Sequence, residues 1–346
     1  MRALLRVHRT QIGIATRGYA RATRLQRSVP AAAAPGQEPP AEAVHLRIHE
    51  RFYAGAAALR EHFDKRFANP LEARADRFCW DFWHVENQYT LLRTPADRFF
   101  PRVQYEALED ALLEFGERQL GCRGMSPAWV ACYVDGCRQE LHTDAPHGPW
   151  AFVLSLTPAQ RAFAGGDTLL MQPHVLNYWP SFDPSAGLEM KHLVTAVEPA
   201  FNRLIVFDPR LPHGVRAVEG TRDPRRARLV VTGWFTEPTP FFTGALAEGA
   251  AAQALGEATR PLSEELAELP PCAGTVVVRL RVSGATGGVE ALEWLTDTLV
   301  PLPAAEYSAA DARGEVFAAI QRRLGGARFP PCAEGDSEVT VPLVFE

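Results

Sequence analysis

Apolar residues recur every three or four positions from about Val44 to Asn69 and again from Val103 to Gln119, as in VQYEALEDALLEFGERQL. That spacing places them on one stripe of an α-helix, so two amphipathic helices are expected. Gly121 and Gly124 close the second. Between them, CWDFWHVENQYTLLRTP gathers Trp80, Phe82, Trp83 and Tyr89, which read as packing residues. From Trp129 to Phe235 the period changes. Short β-rich runs follow one another: AWVACYV, WAFVLSL, GGDTLLM, HLVTAVEP, RLIVF and RLVVTGWF, broken by Gly and Pro. Many short strands with no long helix between them predict an antiparallel sandwich or barrel.

Residues 238 to 270 read as a Pro-, Ala- and Glu-rich connection with helix-prone pieces, ALAEGAAAQAL and LSEELAEL. A third pattern then begins. GTVVVRLRVSG predicts a strand, GEVFAAIQRRL a helix and EVTVPLVFE a final strand. The expected segments are a leader or disordered stretch over 1–44, a helical support over 45–125 and a β domain over 126–240. A linker over 241–270 and a small α+β domain over 271–346 complete the chain. At 346 residues, more than one core is the natural prior.

Charge changes the picture at one end. Residues 1 to 37 carry Arg2, Arg6, Arg9, Arg17, Arg21, Arg24 and Arg27 and no acid. Arg-rich, acid-free composition is the mark of an organelle transit peptide, with the mitochondrial matrix as the expected destination. A plastid, or the cytoplasm if the segment is only a basic tail, stays open. With Glu38 the first forty residues sum to +6, so the remainder carries −5 − 6 = −11. An acidic body lacks the basic footprint of nonspecific nucleic-acid binding. No apolar run reaches the roughly 20 residues of a membrane helix. The six cysteines form no C-x-x-C pair, which argues against a disulfide scaffold or zinc ribbon and fits a reducing compartment.

The stretch QELHTDAPHGPW holds the candidate chemistry. His142 and Asp144 are two apart, hence on one face of an extended run. Both residues are poor strand formers and costly to bury unpaired. A solvated ion pair explains the two alone; a metal needs a third ligand. Two histidines and one carboxylate make the facial triad that holds non-haem Fe(II) with open positions. His147, His174, His192 and His213 are available, and only His213 follows a strand and turn and precedes another strand, in RLIVFDPRLPHGV. A bound 2-oxo acid would also need a cation for its far carboxylate, a task suited to arginine. Arg228 opens RLVVTGWF fifteen residues later, on one face with Val230 and Thr232.

Residues 127 to 236 resemble the Fe(II)/2-oxoglutarate-dependent dioxygenases, in particular the prolyl-4-hydroxylase-like branch. The resemblance rests on ACYVDGCRQELHTD, FAGGDTLLM, VEPAFNRLIVFDPRLPHGV and RLVVTGWF in that order. It implies a mainly β chain: a double-stranded β-helix (jelly-roll) core with flanking N-terminal helices and a small C-terminal α+β domain. It implies His142, Asp144 and His213 as iron ligands, Arg228 as the partner of 2-oxoglutarate, and Tyr133 as a hydrogen-bonding neighbour of that cosubstrate. The implied reaction uses Fe(II), 2-oxoglutarate and O₂, with ascorbate in support, and releases succinate and CO₂ on hydroxylating a C–H bond. Two departures stand out. Ser155 occupies the place of a second tyrosine, and GTRDPRRAR supplies Arg222, Arg225 and Arg226 as rivals to Arg228. His84 and His174 fall outside the motifs and are expected to make local hydrogen bonds.

The C-terminal segment resembles, through GTVVVRLRVSG and RFPPCAEGDSEVTVPLVFE, the small domain that closes TonB-type energy transducers. With no membrane anchor beside it, a docking or self-association module is the expectation. For the whole protein, hydroxylation of a protein or peptide side chain leads. A small-metabolite hydroxylase and a non-catalytic iron- and 2-oxoglutarate-binding sensor are the alternatives.

Overall fold

Strands form wherever the alternating runs between Trp129 and Phe235 place them. The computed structural model describes residues 38–69, 71–72, 80–172, 193–236, 238–302 and 308–345, with the backbone of Leu5–Val7. The chain divides into two units, Val44–Pro238 and Met1–Ala43 with Thr239–Glu346.

The Val44–Pro238 unit is built on an eleven-stranded sheet. Its strands are β1 (Leu46–His49), β2 (Asp81–Val85), β3 (Tyr89–Pro95), β4 (Trp129–Tyr133), β5 (Arg138–His142) and β6 (Trp150–Ser155). They continue as β7 (Thr168–Met171), β8 (Val194–Val197), β9 (Leu204–Phe207), β10 (His213–Val215) and β11 (Arg228–Phe235). Neighbours run β8-β7-β10-β5-β3-β4-β11-β6-β9-β1, with β2 beside β3. Every pairing is antiparallel, and the sheet curls into the jelly-roll core. Strand alternation then sorts the side chains. On β11, Leu229 and Val231 join the core beneath helices α1 (Ala56–Arg66) and α2 (Arg102–Phe115), beside Leu59, Phe63, Leu108 and Leu112. Arg228, Val230, Thr232 and Trp234 face the other way, into a cavity. Burying each such Leu or Phe contributes about 1.5–3 kcal/mol, enough to fix which face turns inward.

Helix α2 lies where the periodicity predicts, and Gly121 at φ 74° ends its terminal turn in the left-handed region. Val44–Asn69 is not one helix. The segment starts as β1, paired along its whole length with β9, and becomes helical only at Ala56. The helical stripe holds for Ala56, Leu59 and Phe63, whereas Leu46–His49 gains more from extending the sheet edge. The separate segments expected over 45–125 and 126–240 form one unit, because the helices bury their apolar faces on that sheet.

In the other unit, β12 (Phe241–Gly244), β13 (Cys272–Val282), β14 (Val289–Asp297) and β15 (Ser337–Phe345) form a sheet with α3 (Glu248–Ala267) and α4 (Ala309–Gly325). The expected strand–helix–strand elements are present as β13, α4 and β15. The linker expected over 241–270 is a correction: it supplies β12 and the twenty-residue α3. Leu255, Leu262 and Leu266 of α3 share a core with Val276, Leu280, Phe317 and Ile320, so the apolar content that looked like a connection is a packed face. Within the expected leader, Leu5–Val7 forms a strand parallel to β15; the rest of 1–37 lies outside the described residues. Among the described residues no helix is long and apolar enough to cross a membrane, and the described cysteines are free.

Candidate active site

Register brings the two predicted histidines together. His213, first residue of β10, pairs directly with His142, last residue of β5, and their rings lie 4.5 Å apart. Asp144 follows two residues past the end of β5. Its Oδ2 sits 3.8 Å from His142 Nε2 and 3.5 Å from His213 Nε2. Among the described residues this is the one group of His, Cys, Asp or Glu side chains placed to hold a metal ion, with its ligand atoms within 4.8 Å of one another.

Backbone carbonyls fix which nitrogen of each ring turns toward the cluster. His142 Nδ1 lies 2.8 Å from the Glu140 carbonyl, and His213 Nδ1 lies 2.9 Å from the Leu211 carbonyl. A carbonyl only accepts, so each Nδ1 donates its proton outward and each Nε2 is the atom that faces Asp144, with a lone pair to offer once a metal ion replaces its proton. Such backbone anchors orient histidine ligands and raise their basicity. Burial works to raise the Asp144 pKa, but His213 and His142 outweigh it and hold the group below the usual carboxylate range. Two imidazole nitrogens and one carboxylate, with the other coordination positions left to small ligands, suit Fe(II).

The loop between β9 and β10 fixes two of these ligands at once. The Asp144 backbone N–H donates to the Pro209 carbonyl (2.9 Å), and Leu211, which anchors His213, donates its own N–H to the Asp208 carbonyl (3.2 Å). Asp208 is 1% exposed and bonded by His45 Nδ1 (3.1 Å) and Arg210 Nη2 (2.5 Å). Burial alone would raise its pKa; His45 and Arg210 reverse that and hold it at about 2. Sequence reasoning passed over Asp208. Its signal was an acid directly after the wholly buried run LIVF, five residues before a ligand.

A cavity of about 790 Å³ contains the triad, and Arg228 and Tyr133 line it too. Arg228 is 1% exposed, and Nη2 donates to Thr168 Oγ1 at 3.2 Å. Its Nε and Nη1 are buried without a hydrogen-bond partner. Burial depresses its pKa, with Tyr133 and Asp167 acting the other way. The guanidinium carbon lies 4.4 Å from the Tyr133 ring centre, and Tyr133 donates its hydroxyl to Gln139 Oε1. Gly166, at φ 74°, lets the backbone pass the arginine stem: a Cβ there would stand 3.2 Å from Arg228 Cδ. An arginine buried with donors unused is costly unless an acceptor arrives. Its fit to a carboxylate is the fit a 2-oxo acid needs.

Residues 128–236 match the family model of the 2OG-Fe(II) oxygenase superfamily. These residues are a 2OG-Fe(II) oxygenase domain. The protein is therefore an oxidoreductase of the kind that uses Fe(II) and 2-oxoglutarate. No curated protein matches the chain in sequence. Among solved structures it is similar to a Pseudomonas putida prolyl-4-hydroxylase, at 18% identity and TM-score 0.39 over 56% of this chain and 92% of that one. It is also similar to a Trichoplax adhaerens prolyl hydroxylase, solved with a hypoxia inducible factor peptide fragment, at 14% identity and TM-score 0.40 over 55% and 83%. A Burkholderia pseudomallei oxidoreductase of the 2OG-Fe(II) oxygenase family matches at 16% identity and TM-score 0.38 over 56% and 85%.

The remaining residues singled out by the sequence fall away from the oxygenase centre or at its rim. Arg222 is 87% exposed and pairs with Asp135. Arg225 pairs with Asp223, and Arg226 is exposed. Ser155 is buried and accepts the Thr157 N–H. His147 lines the cavity and stacks on Trp234 at 4.5 Å. His84 bonds Thr90, as expected, while His174 and His192 lie outside the described residues. The aromatic cluster divides. Trp80 packs on the core and Phe82 is exposed, but Trp83 and Tyr89 line the cavity, a role that clustering alone did not reveal.

Proposed function

We propose that the Val44–Pro238 unit hydroxylates a side chain of a protein or peptide, with His142, Asp144 and His213 as iron ligands and Arg228 gripping the far carboxylate of 2-oxoglutarate. Bound Fe(II), 2-oxoglutarate and O₂ supply oxidative decarboxylation to succinate and CO₂ with transfer of one oxygen atom to a substrate C–H. The protein does the rest. The backbone carbonyls of Glu140 and Leu211 hold both Nδ1 protons and turn each Nε2 toward Asp144. Thr168 and the Tyr133 ring orient Arg228, and Tyr133 stands ready to share its hydroxyl with the cosubstrate. Val230, Val215 and Leu91 give the chamber apolar walls. Low local polarity strengthens the arginine–carboxylate pair.

One observation carries this reading: a buried guanidinium with unused donors shares a cavity with a His–Asp–His cluster whose Nε2 atoms converge. His142 keeps a 35% exposed side chain, so a reacting group on a larger molecule can reach the metal side from outside, which supports a protein or peptide over a free metabolite. Ascorbate enters the proposal as the reductant that restores oxidised iron. The acid-free basic segment over 1–37 supports, by composition, delivery to the mitochondrial matrix. For Thr239–Glu346 we keep the role of docking or self-association, which sedimentation of the full chain tests. The test of the main reading is succinate formed by the full chain with Fe(II), 2-oxoglutarate and O₂, with and without peptide pools. Peptide-stimulated succinate supports hydroxylation of a peptide, and no succinate under any condition removes the proposal.

A further inference from the structure

Arg93 is a second arginine in the same cavity. It lies on β3, opposite Ala131 of β4, which is itself opposite Val230 of β11. That register sets it one row along the sheet from the Arg228–Tyr133 pair. Its guanidinium carbon sits 3.2 Å from the Trp83 ring centre and 4.0 Å from that of Trp129. Two indoles thus lie within cation–π reach of one guanidinium, whose N–H donors remain available for an acceptor. No acceptor meets those donors among the described residues. Nε is buried without a partner, and Asp81, across from Arg93 in register, is exposed and forms no ion pair with it.

A charge count sharpens the point. Fe(II) contributes +2, Asp144 −1, 2-oxoglutarate −2 and Arg228 +1, which sum to zero with both ligand histidines neutral. Glu140, the other acid lining the cavity, is bonded to Arg138 at 2.8 Å. His147 adds either nothing or a further positive charge. Among the groups that line the loaded cavity, Arg93 is therefore the charge left over; Asp81, outside the lining, acts on it from across the strand pair without bonding it. A fixed guanidinium of this kind is a two-pronged receptor for an oxyanion.

We propose that Arg93 anchors an acidic group of the substrate, a carboxylate or a phosphate, with Trp83 and Trp129 flanking it. This deepens the oxygenase reading and rests on it. The test uses the full chain with Fe(II) and 2-oxoglutarate under anaerobic conditions, in wild type, Arg93→Lys and Arg93→Met. Tryptophan fluorescence reports binding of three capped hexapeptide pools that carry Glu, phosphoserine or Gln at one position.

Wild type should bind one charged pool about tenfold more tightly than the Gln pool, the lower end for a charge-assisted hydrogen bond, and Arg93→Lys, which keeps the charge without the two prongs, should keep a smaller preference for the same pool. The stronger charged pool tells carboxylate from phosphate. In Arg93→Met the ratio should fall to about one. Equal binding of charged and neutral pools by wild type overturns the proposal, as does no binding of either charged pool. A preference that survives in Arg93→Met does the same. If Arg93 merely braced the two tryptophans, its loss would weaken all three pools alike, which also overturns it. Succinate formation is measured separately in air, so failure of the oxygenase reading is told apart from failure of the charge preference.

Discussion

Each unit of this protein buries an arginine beside its sheet, Arg313 in one and Arg228 in the other, and the two are treated in opposite ways. In the Thr239–Glu346 unit, Arg313 meets Asp297 with both prongs (3.1 and 2.6 Å) and also donates to the Leu299 and Pro40 carbonyls. Asp297 is 3% exposed and accepts the Leu299 N–H as well. In the Val44–Pro238 unit, Arg228 is more deeply buried yet leaves Nε and Nη1 without partners. A buried cation gripped by a buried carboxylate through both prongs closes a structure. One whose donors are unused beside a cavity is shaped for something that binds there. The contrast assigns the chemistry to one unit on physical grounds.

The comparison can be broken by stability. Arg313→Met leaves Asp297 buried and unpaired, which should cost about 3–5 kcal/mol. Arg228→Met abandons no carboxylate and removes an undercompensated charge, so the apo protein should hold its stability or gain about 1 kcal/mol. Urea unfolding of the full chain, with hydrogen exchange resolved to each unit, checks both. A large loss in Arg228→Met would mean that its donors are satisfied inside the protein.

Asp208 offers a narrower test through pH. Its folded pKa of about 2 lies below its ordinary 3.8, so it adds stability above the unfolded value that disappears as pH falls through the folded one. The depression is worth roughly 2 kcal/mol. Asp208→Asn should therefore lose about that much at pH 6 and flatten the stability profile between about pH 4 and 2. Because the loop also positions Asp144 and His213, its Fe(II) affinity should drop as well, measured by equilibrium titration. The smallest effect belongs to Arg222→Ala. This side chain is 87% exposed, its pair with Asp135 is solvated, and cosubstrate affinity should change less than twofold.

Much of this was legible in the sequence. Alternation alone set the six runs from AWVACYV to RLVVTGWF as strands and put Arg228 on one face with Val230 and Thr232, as found. His142 and Asp144 stood out by their spacing of two, whereas His213 was picked out by its place after a strand and turn and by the family resemblance. Long-range pairing was harder. Leu46–His49 has no local signal separating a sheet edge from the start of α1; only its partner β9 decides. The helix α3 was hidden because small residues and Pro261 resemble a connection until a core covers them. Trp83 and Arg93 were missed since aromatic clustering does not say which face of a hairpin turns inward.

The central claim is that the triad and Arg228 form one site for iron and 2-oxoglutarate. Its most direct test is an anaerobic calorimetric titration of 2-oxoglutarate into the Fe(II)-loaded full chain, wild type against Arg228→Ala. Losing one partner of a desolvated charge pair costs about 2–5 kcal/mol, so cosubstrate binding should weaken tens- to thousands-fold while Fe(II) stoichiometry stays unchanged. Equal 2-oxoglutarate affinities for the two proteins would contradict the account.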